Sequence, residues 1–217
     1  MYDAVVFDMD GIIFDSEKVV IETWESIAEK YGIENIRETL YKCIGANVVR
    51  TKEIMREAYG EDFPYDDYNK EVSVIYHERC DGGKLPMKPG VFEILEYIKS
   101  QGKKLALASS TRRETVINEL RDAKILDYFS VIIGGDMIER SKPEPDIYLK
   151  ACEELGVNPE NAFAIEDSFN GIRSAYAGRL RPIMVPDILG PDDEMRDKAE
   201  VVLDSLLEVR DYLKNEA

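Results

Sequence analysis

The chain has 217 residues, of which 44% are apolar, so it can bury a sizeable core and has room for one domain with an insertion. Its 44 acidic residues exceed its 28 basic ones, and the net charge of −16 argues against binding to nucleic acid or anionic membranes. Three widely spaced cysteines argue against a disulfide framework or a structural zinc site. With no leader-like segment and no apolar run approaching about 18 residues, we expect a cytoplasmic protein without a membrane span.

The first predicted element is a short apolar strand that ends in two carboxylates. Residues 4–7 read Ala-Val-Val-Phe, which is typical of a central strand in a parallel sheet, and Asp8 and Asp10 follow them. The two side chains point roughly the same way because they are two residues apart, and Gly11 lets the backbone turn tightly. Placing two carboxylates beside a buried strand is costly unless a cation or proton compensates. The pattern therefore indicates chemistry rather than a solvated turn.

The part of the chain over residues 16–87 shows helical patterns without an intervening strand. Apolar residues recur there at helical spacing in three runs, which glycine and proline separate. We predict an all-helical cap over residues 16–87, inserted into a core made of residues 1–15 and 88–217. The proline-rich stretch over residues 86–90 is the predicted return linker.

From residue 88 onward, helical patterns alternate with short apolar runs. The predicted strands cover residues 105–108, 131–133, 162–165, 183–185 and 201–203. The predicted helices start at residues 91, 116, 145 and 168, with a closing helix through residues 206–213. This alternation predicts the α/β class, with a doubly wound parallel sheet in the core.

Polar side chains follow the strands of this predicted sheet, at the carboxyl ends where such sheets bind ligands. They are Asp8, Asp10, Ser109, Ser110, Arg112, Lys142, Glu166 and Asp167. Carboxylate oxygens suit Mg²⁺, hydroxyls at a helix start suit an anion, and the lysine can share the charge. The composition of these ends predicts a magnesium and phosphate site.

These residues resemble the motifs of the haloacid dehalogenase superfamily, in the branch that carries a helical cap after its first motif. The four motifs are Asp8-Met-Asp10-Gly11, Ser109, Lys142 within Ser-Lys-Pro, and Glu166-Asp167. Each motif alone is weak evidence, but four motifs in this order, each at the end of a predicted strand, are specific for the superfamily. The chain has neither a Walker A loop nor a dinucleotide Gly-x-Gly-x-x-Gly, so those phosphate-binding modes are excluded.

The resemblance implies a role for each core motif. Asp8 would be the nucleophile that forms an aspartyl-phosphate, and Asp10 the general acid and then the base. Lys142 and Mg²⁺ would neutralise the charge on the phosphate, and Ser109 would hydrogen-bond the transferring group. An ordinary surface lysine is the alternative reading of Lys142.

The resemblance also implies metal ligands and substrate contacts. The expected metal ligands are Asp8, Asp10 through its main-chain carbonyl, Asp167, and Glu166 directly or through water. The expected substrate contacts are Gly11, Ser110, Arg112 and Arg50, the last of these in the cap. Alternatively, Glu166 could lie behind the metal ligands without binding the metal, and Arg112 could simply begin the following helix.

The leading expectation is a Mg²⁺-dependent phosphatase for a small phosphorylated metabolite such as a sugar phosphate. A mutase resembling β-phosphoglucomutase is the alternative, but that enzyme carries a histidine four residues after a Ser or Thr matching Ser16, where this chain has Val20. A dehalogenase is disfavoured because Asp10 is present. A phospho-aspartate signalling receiver is a non-enzymatic alternative, disfavoured because receivers lack the helical insertion.

Overall fold

The computed structural model describes residues 2–44 and 48–216, and its centre is a six-stranded parallel sheet. The strands are β1 (Ala4–Phe7), β2 (Lys104–Ala108), β3 (Val131–Ile133), β4 (Ala162–Glu166), β5 (Arg181–Met184) and β6 (Val201–Val202). They lie in the order β3-β2-β1-β4-β5-β6, and every pair is parallel. The predicted fold class, a doubly wound parallel α/β sheet, is confirmed.

Strand β1 lies in the middle of the sheet and is entirely buried. Val5 pairs with Leu105 of β2 on one side and with Phe163 of β4 on the other. The chain runs outward through β2 and β3 and then returns to the opposite side of β1 at β4. Such a reversal opens a crevice at the carboxyl ends of the two central strands, where Asp8 follows β1.

Helices cover both faces of the sheet and make up the segment after β1. They are α1 (Ser16–Ala28), α2 (Ile36–Tyr41), α3 (Val48–Tyr59), α4 (Tyr65–Cys80), α5 (Val91–Ser100), α6 (Arg113–Asp122), α7 (Asp146–Leu155), α8 (Phe169–Ala177), α9 (Asp193–Lys198) and α10 (Leu206–Asn215). Within the described ranges, no helix is both long enough and apolar enough to cross a membrane.

Alternate residues of β1 supply the two apolar layers of the core, because successive side chains of a strand point to opposite faces. Val5 and Phe7 belong to the layer packed on α5, α6 and α10, whereas Ala4 and Val6 belong to the layer packed on α7. A strand buried on both faces has to be apolar at every position, which explains the unbroken run before Asp8.

The helices α1–α4 enclose an apolar cluster of their own, which includes Ile21, Trp24, Met55 and Tyr68. The hydroxyl of Tyr68 donates a hydrogen bond to the main-chain oxygen of Trp24 at 2.5 Å, and the two rings lie 4.9 Å apart. Trp24 is buried within this cluster. The cap boundaries at residues 16 and 87 stay a prediction.

Two chain crossings connect these helices to the core, and they run side by side. The main-chain N–H of Asp15 donates to the oxygen of Pro86 at 2.8 Å, and that of Lys88 donates to the oxygen of Ile13 at 2.9 Å. The Lys88 ammonium lies 2.6 Å from Asp187 and 3.6 Å from Asp15. The crossings therefore form a short antiparallel ribbon anchored to the core by one lysine.

The structure corrects some element boundaries and adds two helices. The strand predicted at residues 183–185 runs over Arg181–Met184 instead. The unpredicted helices α2 and α9 have six residues each. In α9 the sequence is Asp-Glu-Met-Arg-Asp-Lys and only Met195 is buried, so no apolar stripe is long enough to reveal the helix.

Candidate active site

Asp8 stands at the end of β1 with its side chain almost completely buried. Its main-chain N–H continues the sheet by donating to the oxygen of Ile165 at 3.0 Å, which fixes the backbone there. The ammonium of Lys142 lies 2.6 Å from Asp8 Oδ1. The loop before α7 thus brings Lys142 to the strand end, and the alternative of a surface lysine is wrong because its side chain is only 7% exposed.

Lys142 also holds Glu166, which is fully buried at the end of β4. Lys142 Nζ lies 2.5 Å from Glu166 Oε1 and 3.2 Å from the main-chain oxygen of Ala108. The Tyr148 hydroxyl donates to the same Glu166 oxygen at 2.5 Å, and the Ser168 hydroxyl donates to Oε2 at 3.2 Å. Burial alone would lower the pKa of Lys142, but Asp8 and Glu166 raise it above its ordinary value, so the lysine stays charged.

Three buried carboxylates meet at this point: one oxygen each of Asp8, Glu166 and Asp167 lies within 4.8 Å of the others. Burial raises the pKa of Asp8 well above its ordinary value; Lys142 opposes this shift, whereas Glu166 and Asp10 add to it. Burial, then Glu166 and Asp8, likewise raise the pKa of Asp167. One ammonium cannot neutralise three carboxylates, so the donor set fits a divalent cation with oxygen ligands.

Two glycines leave the space that the Asp167 and Glu166 carboxylates occupy. Gly11 has φ +77°, and a Cβ there would lie 2.3 Å from Asp167 Oδ2. A Cβ on Gly171 in α8 would lie 1.9 Å from the carboxyl carbon of Glu166. Real Cβ atoms do not approach so closely, so neither carboxylate could keep its place beside a larger residue.

Asp10 lies beside this group with both of its oxygens engaged. Ser16 Oγ donates to Oδ1 at 2.6 Å, and Thr111 Oγ1 donates to Oδ2 at 3.2 Å. The Asp10 carboxylate is not a member of the group of three carboxylates found in the described residues. Its carboxylate is thus held by the first residue of α1 and by a residue just before α6, and its expected contribution to a metal remains the main-chain carbonyl.

A cleft of about 600 Å³ opens above Asp8 between the core and the helices of the predicted cap. Asp8, Asp10, Lys142 and Asp167 line its floor. Apolar side chains line much of its cap side, namely Val20, Ile21, Trp24, Leu40, Ile44 and Val48. The side chain of His77 is exposed, lies 3.0 Å from Asp81 and also lines this cleft.

The remaining predicted site residues lie at different distances from the chemistry. Ser110 lines the cleft, whereas Ser109 is fully buried and its hydroxyl accepts a hydrogen bond from the Thr111 N–H at 3.0 Å. Gly11 leaves the space that Asp167 occupies, but it is not among the described residues that line the cleft. Arg112 precedes α6 on the surface, and Arg50 pairs with Glu53 and Glu57 on α3. The arginines therefore do not line the cleft in this structure.

Sequence reasoning missed several side chains that organise the site. Ser16, Thr111 and Tyr148 each hold a predicted carboxylate, but only their hydrogen bonds reveal it. Glu17 also lines the cleft, where burial, Asp10 and Asp187 raise its pKa to about 7. Tyr148 sits on the apolar face of α7, where an aromatic residue ordinarily indicates only core packing.

The comparison with protein families agrees with this geometry. Residues 5–185 match the family described as haloacid dehalogenase-like hydrolase. The chain belongs to this family. The match covers the strands from β1 to β5 and the helices between them, so it includes all four motifs of this haloacid dehalogenase-like hydrolase. The family predicted from the motifs is confirmed.

Individual relatives extend over most of the chain. The phosphorylated carbohydrates phosphatase of Thermotoga maritima is 34% identical over 184 residues, which are 83% of this chain and 83% of that protein. The beta-phosphoglucomutase of Bacillus subtilis is 29% identical over 215 residues, 94% of each chain. The crystal structure of CbbY from Rhodobacter sphaeroides in complex with phosphate has 28% identity and a TM-score of 0.76, covering 96% of both chains. The protein is a phosphatase or phosphoglucomutase-like phosphotransferase of this family.

Proposed function

We propose that the protein is a Mg²⁺-dependent phosphatase that hydrolyses a small phosphorylated metabolite through an aspartyl-phosphate on Asp8. One observation carries this proposal: Lys142 Nζ lies 2.6 Å from Asp8 Oδ1 within a buried group of three carboxylates. A carboxylate can attack a phosphate dianion only when nearby positive charge offsets the repulsion between the two anions. The relative named as a phosphatase of phosphorylated carbohydrates adds support for a sugar phosphate as the substrate.

The metal would be held by Asp8, by Asp167 and by the main-chain carbonyl of Asp10. Glu166 already accepts hydrogen bonds from Lys142 and Tyr148, which favours a water-mediated contribution over a direct one. Bound Mg²⁺ supplies positive charge to the transferring phosphate and helps to orient it. We assign the contact with the phosphate to Ser110, which lines the cleft, and to Ser109, which is buried and accepts a hydrogen bond from the Thr111 N–H.

The two chemical steps use Asp8 and Asp10 in turn. In the first, an Asp8 oxygen bonds to phosphorus, the bond from phosphorus to the leaving oxygen breaks, and Asp10 gives its proton to that oxygen. In the second, Asp10 takes a proton from water, the water oxygen bonds to phosphorus, and the bond to Asp8 breaks. The hydrogen bonds from Ser16 and Thr111 keep the Asp10 carboxylate directed to this place in both steps.

The cap side of the cleft favours phosphatase over mutase activity. A mutase has to hold a sugar hydroxyl over the aspartyl-phosphate, exclude water and recognise a bisphosphorylated intermediate in two orientations. The chain has Val20 where the mutase has its histidine, and Val20 lines the cleft. An aliphatic side chain can neither orient a hydroxyl nor bind a phosphate.

A screen of phosphorylated metabolites tests this function. The protein is incubated with Mg²⁺ and each compound, and both free phosphate and isomerised product are followed. For β-glucose 1-phosphate with catalytic bisphosphate, we expect phosphate release to exceed glucose 6-phosphate formation. Rapid isomerisation with little phosphate release would establish the mutase instead, and undiminished turnover in excess chelator would contradict the metal site.

A further inference from the structure

We propose that the cleft takes phosphate monoesters whose leaving group is uncharged and presents an apolar face, and that it discriminates against substrates with a second anionic group. This inference rests on the proposed phosphatase function and names the substrate class of the same site. Two observations support it: the cap side of the cleft is apolar, and lysine and arginine are scarce among the described residues that line the cleft.

The cap side of the cleft offers an apolar surface to the part of the substrate beyond the phosphate. Val20 and Trp24 on α1 line the cleft together with Val48 at the start of α3. Val48 is 69% exposed, although large aliphatic side chains are ordinarily buried. A ligand that covers this surface with an apolar face gains free energy by removing it from water.

The ionisable side chains around the cleft are predominantly acidic. Its acidic lining residues are Asp8, Asp10, Glu17, Glu119 and Asp167. Among the residues that the structure describes in 2–44 and 48–216, Lys142 is the only lysine or arginine lining the cleft. The three residues between these ranges, numbers 45–47, are Gly, Ala and Asn and add no charge.

Lys142 is not available for a second anionic group, because its ammonium already contacts Asp8 and Glu166. A divalent cation at the three carboxylates would be used by the phosphate that reacts. A carboxylate or second phosphate in the leaving group would therefore lose its hydration in a partly desolvated cleft without a lysine or arginine to offset that cost, and its neighbours would be the acidic residues Asp10, Glu17 and Glu119. An uncharged leaving group avoids this cost.

The volume of the cleft sets an upper limit on the leaving group. Its volume of about 600 Å³ lies within the range in which proteins bind small molecules. One ring together with its phosphate fits such a space. The expected occupant is a monocyclic or short-chain alcohol bearing one phosphate.

An isosteric pair of esters tests the charge discrimination directly. We expect kcat/KM with Mg²⁺ to be at least about tenfold higher for 4-carbamoylphenyl phosphate than for 4-carboxyphenyl phosphate, which has nearly the same shape and one more negative charge. Added salt should narrow the ratio. Equal rates, or faster hydrolysis of the carboxylate, would overturn the inference while leaving the phosphatase function intact. Hydrolysis of neither ester by a protein that does hydrolyse a metabolite of the screen would overturn the inference alone, and hydrolysis of no compound at all would overturn both.

Substitutions at position 20 locate the effect on the cap side of the cleft. Val20→Lys adds a cation to the cap side of the cleft, and we expect it to reduce the preference for the neutral ester at least about fivefold. Val20→Thr keeps the shape but replaces a methyl group, and should lower kcat/KM for the neutral ester about threefold to tenfold. Val74→Lys, on the exposed face of α4 outside the cleft, is the matched control and should change neither value. A preference that Val20→Lys leaves unchanged in a folded variant would contradict the placement of the leaving group.

Discussion

The two sides of the cleft are built on different physical principles. On the core side, buried charges are fixed by several partners each, as Glu166 is by Lys142, Tyr148 and Ser168. On the cap side, aliphatic side chains such as those of Val20 and Val48 offer a ligand apolar contact without hydrogen bonds or charge. Buried charges tolerate little change because an unpaired one is costly, whereas apolar contacts are graded and additive. Substitutions in the core should therefore act strongly on turnover, and those on the cap side should tune the choice of substrate.

The largest expected effect is at the nucleophile. Asp8→Asn is nearly isosteric, but an amide cannot attack phosphorus, so phosphate release should fall by about 10³-fold or more. Circular dichroism should show an unchanged fold, since Lys142 keeps its contact with Glu166. Substantial turnover by this variant, after contaminating phosphatase has been excluded, would refute the role of Asp8.

Loss of Lys142 should be nearly as severe and should also weaken the fold. Lys142→Ala removes the cation beside Asp8 and Glu166, and we expect kcat to drop by about 10²–10³-fold. Leaving those buried carboxylates without their partner should lower the free energy of unfolding by about 3–5 kcal/mol, as measured by denaturant titration. Lys150→Ala, which breaks an ion pair with Glu154 on the partly exposed surface of α7, is the control and should change neither quantity measurably.

A smaller effect is expected from the cap residue that contacts Asp10. Ser16→Ala removes the 2.6 Å hydrogen bond to Asp10 but leaves the one from Thr111, so we expect kcat to fall about tenfold. In an Asp10→Asn background, the same substitution should have almost no further effect, because the two residues act together. Ser26→Ala on the outer face of α1 is the matched control. Additive losses would show that Ser16 acts on the fold rather than through Asp10.

The smallest effect is a pH dependence of stability at Glu119, where α6 faces α4. Burial, Asp10 and Asp81 raise the pKa of Glu119 to about 7, and His77 opposes the shift. One of its oxygens is buried without a hydrogen-bond partner among the described residues. The unfolded chain loses this proton near its ordinary pKa of 4.5, whereas the folded protein keeps it until about 7, so this group makes stability fall as pH rises through that window.

Glu119→Gln should remove that contribution. We expect its melting temperature to match that of the parent protein at pH 4.5 and to exceed it by a few degrees at pH 8. Glu114→Gln, an exposed acid on the same helix, should show no such trend. A difference of equal size at both pH values would show that the proton on Glu119 is not responsible.

Much of the core could be predicted because its physical requirements are local. A strand covered on both faces has to be apolar throughout, and the carboxylates that end β1 and β4 interrupt such runs visibly. Lys142 was identified by the resemblance of Ser-Lys-Pro to a family motif. Its contact with Asp8, 134 residues away, became visible only in the fold.

Other parts of the site could not be predicted, because long-range packing decides them. Ser16 and Thr111 are common residues at helix and strand ends, and nothing local indicates that they share Asp10. The apolar residues that line the cap side of the cleft have the same spacing as core residues, so periodicity cannot separate Val20 from a buried valine. Arg50 and Arg112 are a different case: the family resemblance implied that they contact the substrate, but neither lines the cleft in this structure, so that role stays a prediction.

The paired crossings between the core and the helical insertion have a consequence for chain entropy. Because the Asp15 N–H and the Pro86 oxygen are hydrogen-bonded, the whole insertion is a loop whose ends meet at one point. The entropy of closing such a loop grows only with the logarithm of its length, by about 0.6 kcal/mol for each doubling. An insertion of half or twice the length would therefore change the cost of closing the loop by only about 0.6 kcal/mol, so the length of the segment over the active site is nearly independent of the stability of β1 and β4.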